Sequence, residues 1–151
     1  MRINAKSDYA LRALIEIALG EGDPVSSEDV AAAQEIPSRF LGTILIDLRK
    51  AGIVTSHRGA QGGYSLARPA RDIAVADVIR AVDGPLASVQ GVRPQDTQYE
   101  GAAQVLQPLW VAVRASLRGV LETVTLAHLV EGQLPRKVSK LVEDADAWVD
   151  R

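Results

Sequence analysis

At 151 residues the chain is long enough for one domain, or a small domain plus an extension, and a chain of this size buries about 70% of its unfolded surface without staples. It holds no cysteine, which excludes disulfides, zinc–thiolate sites and all-cysteine iron–sulfur ligation. No apolar run approaches membrane-spanning length and the first residues lack the apolar core of a signal peptide, so a soluble cytoplasmic protein is expected, with no membrane partner.

The net charge of −2 conceals an asymmetry. Between Ile36 and Arg71 the cations are Arg39, Arg49, Lys50, Arg58, Arg68 and Arg71, against the single anion Asp47. That segment therefore carries +5 and the remainder −7. Local charge governs contact with a polyanion more than the total does.

Leu11, Leu14, Ile15, Ala18 and Leu19 have the spacing of a helix with one buried face, with Ser7 or Asp8 as its cap and Gly20 or Gly22 as its end. Ser26 and Asp29 then resemble a capping box for a short helix carrying Val30, Ala31 and Ala33, stopped by Pro37. A third helix starts near Ser38 with Leu41, Ile44, Leu45 and Leu48 inward, and Gly52 is placed as its left-handed cap. "IVTSHR" and "YSLAR", separated by "GAQGG", read as a β-hairpin. Two helices joined by a tight turn and followed by a hairpin make a winged helix-turn-helix.

Val75, Val78, Ile79 and Val82 then mark a short helix ended by Gly84–Pro85, and the segment from Leu86 to Gly101 reads as a loop. Beyond it Leu106, Leu109, Val113, Leu117, Val120, Val124 and Ala127 advance in steps of three and four, a narrow coiled-coil type of seam expected to pair with a second copy. Pro108 marks the first turn of this helix or kinks it, and Gly132 and Pro135 end it. A last helix carries Val138, Leu141, Val142, Ala145 and Trp148 on one side. The expected fold is mainly α with a small β-hairpin: a head over 1–84, a loop over 85–101, and a dimerisation helix with a C-terminal helix over 102–151.

The second helix of a helix-turn-helix enters the major groove by its N-terminal end. Here that end is Ser38, Arg39, Gly42 and Thr43, which lie off the apolar stripe. Arg39 suits bidentate donation to guanine or, as the alternative, an ion pair with Glu35. Arg49 and Lys50 are candidate phosphate contacts, although cations at a helix C-terminus also complement its dipole. "SHRGAQGGYSLARP" fails as a phosphate loop, because no lysine and no helix follow the glycines. As a hairpin it uses Gly59, Gly62 and Gly63, each expected at positive φ, for the bend and presents His57, Arg58 and Gln61 at the tip, as in a wing that sends an arginine into a narrow minor groove. Tyr64 is expected to pack the wing onto the helices.

The run "IPSRFLGTILIDLRKAGIVTSHRGAQGGYSLARP" followed by "ADVIRAVDG" resembles the Rrf-two family of bacterial transcription regulators. The match starts at "KSDYALRALIEIAL" and resumes more weakly at "PLW" and "ETVTLAHL". The resemblance implies a winged-helix head, a long helix packing against its two-fold mate, and repression or activation by binding near-palindromic double-stranded operators, with repression the expected sense. It places recognition contacts on Arg39, Gly42 and Thr43 and the wing arginine on Arg58. Many members hold an iron–sulfur cluster on three loop cysteines. This chain has none, so no cofactor and no metal site is expected, and the signal would come from a small molecule, a partner protein or oxidation elsewhere. Asp8, His57, Asp96, Glu100 and His128 share no metal-ligand spacing. The competing reading is an interaction module that uses the long helix and the Trp148 tail without functional DNA binding. An enzyme has no nucleophile–base pair or cofactor motif to rest on.

Overall fold

The computed structural model describes residues 3–150. Its elements follow in the order α1 (Ala5–Leu19), α2 (Ser27–Gln34), α3 (Ser38–Lys50), β1 (Val54–His57), β2 (Gly63–Leu66), α4 (Val75–Asp83), α5 (Leu106–Leu121), α6 (Leu126–Glu131) and α7 (Arg136–Glu143). No helix among the described residues is long and apolar enough to cross a membrane.

Helix α1 lies at the centre, in contact with α2, α3, α4 and α6. Its cap is Asn4, whose side chain accepts from the Ser7 amide at 2.8 Å, and neither Ser7 nor Asp8 takes that role. Asn4 wins because it already lies in extended backbone, whereas Ser7 is turned into the interior and buried. The buried stripe is correspondingly shifted to Ala10, Ala13, Leu14 and Ile17, and Leu19 is exposed. The two alanines let neighbouring backbones approach from more than one side.

Ser26 caps α2 through the Asp29 amide at 3.1 Å, and Glu35, in left-handed backbone at φ 51°, ends the helix before Pro37. Helix α3 buries Leu41, Ile44, Leu45 and Leu48 as its spacing requires. Gly52 follows at φ 71°, and the Ile53 amide donates to the Leu48 carbonyl at 3.0 Å, closing the helix end. The hairpin pairs Val54 with Leu66 and His57 with Gly63, antiparallel, and Val25 adds a bridge to Tyr64 with amide bonds of 2.8 and 2.9 Å. This bridge pins the wing to the chain entering α2, and Tyr64 packs against the core.

The long seam does not continue as one helix. Helix α5 stops at Leu121, the chain turns at Glu122 and Thr123, and Val124 and Thr125 run extended beside Ala74 and Val75. The Val75 amide donates to the Val124 carbonyl at 2.9 Å and the Leu126 amide to the Ile73 carbonyl at 2.8 Å. These pairings, together with a β-branched triplet that resists helix, override the apolar spacing. Thr125 then caps α6 with His128, whose Nδ1 accepts from the Thr125 amide at 3.0 Å. Leu126 enters the head's core, and Val75, Val124 and Val138 form a second cluster.

Helix α7 ends at Glu143, short of its expected length. The Asp144 side chain accepts from the Asp146 amide at 3.0 Å and starts a 3₁₀ turn instead, a competition with helix that Asp favours. Trp148 lies in that turn, exposed, with its Nε1 donating to the Val142 carbonyl at 2.7 Å. Pro108 sits in the first turn of α5 without breaking it. The loop is strapped to α5: Gln107 Nε2 donates to the Gln95 and Thr97 carbonyls at 3.0 and 2.7 Å, and Trp110 Nε1 donates to the Tyr99 hydroxyl at 3.1 Å.

Candidate nucleic-acid interface

Helix α3 buries one stripe and leaves Ser38, Arg39, Gly42, Thr43, Arg49 and Lys50 exposed. Positions 39, 42, 43, 46 and 49 are three or four apart, so they share one face. A Cβ added at Gly42 would meet nothing within 4 Å, so the protomer itself does not demand glycine there; the gap is available to whatever approaches from outside. Arg39 forms no ion pair with Glu35. Its guanidinium lies over the Phe40 ring, 5.6 Å from the centroid, an arrangement that holds the charge at the helix's N-terminal end.

Two residues of this face escaped the sequence reading. Phe40 and Ile46 are 51% and 44% exposed, large apolar side chains outside the stripe. Their signal was available: each falls out of step with Leu41, Ile44, Leu45 and Leu48. Apolar groups presented at a recognition helix can meet thymine methyls.

Arg39, Arg49, Lys50, Arg58 and Arg71 form no ion pair among the described residues. The one acid of the basic segment, Asp47, is drawn away to Lys6 at 2.7 Å. Arg68 is withdrawn by Asp77 at 3.6 Å. The α3 face and the wing tip thus keep four cations without an ion pair, Arg39, Arg49, Lys50 and Arg58.

At the wing, Arg58 and Gln61 are exposed on the tip. His57 is held within the hairpin instead, its Nε2 2.8 Å from the Ser65 Oγ, so it supports the wing as well as bordering the tip. The three glycines do different work. Gly59 and Gly63 have φ of 106° and 152°, and a side chain at Gly63 would overlap the Val25 backbone. Gly62 has no positive φ, contrary to expectation. It is needed because a Cβ there would overlap the His57 carbonyl across the bend.

Along α5, Leu109 and Val113 are 49% and 36% exposed, whereas Leu106, Leu117 and Val120 are already half-buried within the protomer. Val124, expected in the same seam, is buried in the second cluster and offers no outer surface.

The chain matches, over residues 3–132, the family described as "Rrf2: Iron-dependent Transcriptional regulator". It is 48% identical over 145 residues to Rv1287 of Mycobacterium tuberculosis, named as a candidate HTH-type transcriptional regulator, covering 95% of this chain and 90% of that one. Among solved structures it is similar to CymR, the global cysteine regulator of Bacillus subtilis, with a TM-score of 0.74, 30% identity and coverage of 88% of this chain and 98% of that one. It is likewise similar to the structure of "T. potens IscR", with a TM-score of 0.69, 34% identity and coverage of 93% and 96%. The residues do not fit the iron in the family's description by way of thiolates, since the chain has no cysteine. Nor does any group of three or more His, Asp or Glu among the described residues lie close enough to hold a metal. With its mainly helical winged head and hairpin, the chain belongs to the Rrf2 family of transcriptional regulators.

Proposed function

We propose that the protein is a homodimeric repressor that binds a pseudo-palindromic operator and works without a cysteine-ligated cluster. The observation that carries this reading is the paired presentation of α3 and the wing. Arg39, Gly42 and Thr43 occupy the exposed face of one, Arg58 the tip of the other, and neither arginine has an acid partner. Helix α3 enters the major groove, with Arg39 on a guanine edge and Thr43 on a base or phosphate. Ser38, Arg49 and Lys50 take phosphates, and Arg58 and Gln61 follow the adjacent minor groove. Leu109 and Val113, with Leu106, Leu117 and Val120 behind them, form the contact with the second copy. Two recognition helices then read half-sites about 34 Å apart. The role is DNA binding in the cytoplasm, not catalysis.

Selection of bound genomic fragments, followed by footprinting, tests the reading. Specific retention of a two-fold site, weakening steeply with salt, is the expected result. No specific retention at low salt would leave a protein-interaction module acting through α5. An absorbance spectrum of anaerobically purified protein checks the cofactor: a visible charge-transfer band tracking iron content would overturn the cluster-free reading.

A further inference from the structure

The loop between α4 and α5 forms the walls of two adjacent recesses of about 370 and 570 Å³. Arg80, Arg93 and Arg114 line the smaller, with no acid among its lining residues. Trp110, Pro94 and Val113 line the larger, with Asp83, which accepts from the Asn4 side chain, at its edge. Both share the wall Pro85–Leu86–Ala87. Trp110 and Arg114 are four apart on α5, hence neighbours on one helix face, so the basic recess and the recess holding the indole lie side by side.

The three guanidiniums are not equally free. Arg80 is engaged by Glu122 and by Asp77. Arg114 donates only to the neutral Gln95 Oε1, at 3.1 Å, and the Arg93 side chain has no hydrogen bond or ion pair among the described residues. Two uncompensated cations therefore border one recess. The Trp110 ring beside it is fixed by its bond to Tyr99. Ligand sites combine an apolar wall with a few convergent polar groups, in volumes of roughly 300–1,000 Å³.

We propose that these recesses bind a small amphipathic organic anion, its carboxylate or phosphate head held by Arg93 and Arg114 and its apolar body lying against Leu86 and Trp110. Binding there is placed to reach the DNA face. Arg80 belongs to α4, and α4 packs directly on α3. That consequence rests on the reading of the chain as a DNA-binding regulator; the binding itself does not.

The test uses the full chain carrying Trp148→Phe, which leaves Trp110 as the only tryptophan of the two. Its emission is titrated, without DNA, with octanoate, octyl phosphate, octanamide and inorganic phosphate. A saturable change with octanoate or octyl phosphate is expected, and whichever binds more tightly identifies the head group. Octanamide and inorganic phosphate should bind at least about tenfold more weakly, because each lacks half of the recognition. Arg93→Ala and Arg114→Ala should each weaken binding about tenfold with an unchanged circular dichroism spectrum. Arg93→Gln, which retains bulk and polarity, should do the same. The proposal is overturned if neither anion gives a saturable change, if octanamide binds as well as they do, or if the arginine variants bind like the parent. Operator binding is measured separately. A chain that retains operator but ignores both anions fails this proposal alone, and one that binds an anion but no DNA fails the regulator reading alone.

Discussion

The face of α3 and the wing differs in kind from the junction between α4 and α5. On the first, Arg39, Arg49, Lys50 and Arg58 stand without an ion pair and the local acid is tied off by Lys6. At the second, most charges are paired internally: Glu122 accepts from both Arg80 and Arg118, joining the two helices, and Asp77 takes Arg68 and Arg80, which leaves Arg93 and Arg114 as the cations there without an acid. A protein that satisfies its charges in one place and leaves them bare in another marks the bare place as the surface for a charged partner.

Substitutions that respect or violate this division should separate stability from binding. The largest effect belongs to the shared core. Leu45→Ala, at a side chain buried beneath α3, should cost about 2–5 kcal/mol in urea unfolding and carry DNA binding down only through loss of folded protein. Gly63→Ala should cost about 1–3 kcal/mol, because the residue sits at φ 152° and a Cβ meets the Val25 backbone, and operator affinity in gel shifts should fall with the distorted wing. Arg58→Ala should reverse that balance. Unfolding midpoint stays put, while operator binding weakens by about 1–3 kcal/mol and the salt slope drops by about 1. Unchanged binding across a salt series would remove the wing from the interface.

The smallest effect tests the other side of the comparison. Hydrogen bonds from Arg118 and then Arg80 hold the Glu122 carboxyl at about 2, below its ordinary 4.5. A carboxylate with a depressed value stabilises the fold fully above 4.5, and that contribution fades as pH falls toward 2. Glu122→Gln should therefore unfold at slightly lower urea than the parent near neutral pH, with the gap closing below pH 4.5. The gap is small because the pair is solvent-screened. A gap that widened in acid would contradict this role.

The parts of the fold legible in the sequence are those set by local chemistry. The α3 stripe, Gly52, the Ser26 cap and the glycine bend each follow from spacing or from one residue's backbone preference. What was illegible depends on distant partners. Asn4, Ser7 and Asp8 are all competent caps, and only the packing of α1 turns Ser7 inward. Apolar spacing carries on through Val120, Val124 and Ala127, and only pairing with Ala74 and Val75 breaks the helix. The division of labour among Gly59, Gly62 and Gly63 likewise depends on where Val25 and His57 lie. At the interface, Arg39 and Arg58 were legible as charge, whereas Phe40 and Ile46 needed the exposed face to be seen.

The extended stitch at Val124–Thr125 has a mechanical consequence. Because Leu126 fills the core beneath α1 and its amide is bonded to Ile73, a cut after Gly84 would leave a hole in the head as well as removing the tail. The chain that leaves the head returns to complete it. The loop and α5 are thus joined to α1 and α3 by a closed loop of packed chain, with two routes, one through α4 and one through Leu126.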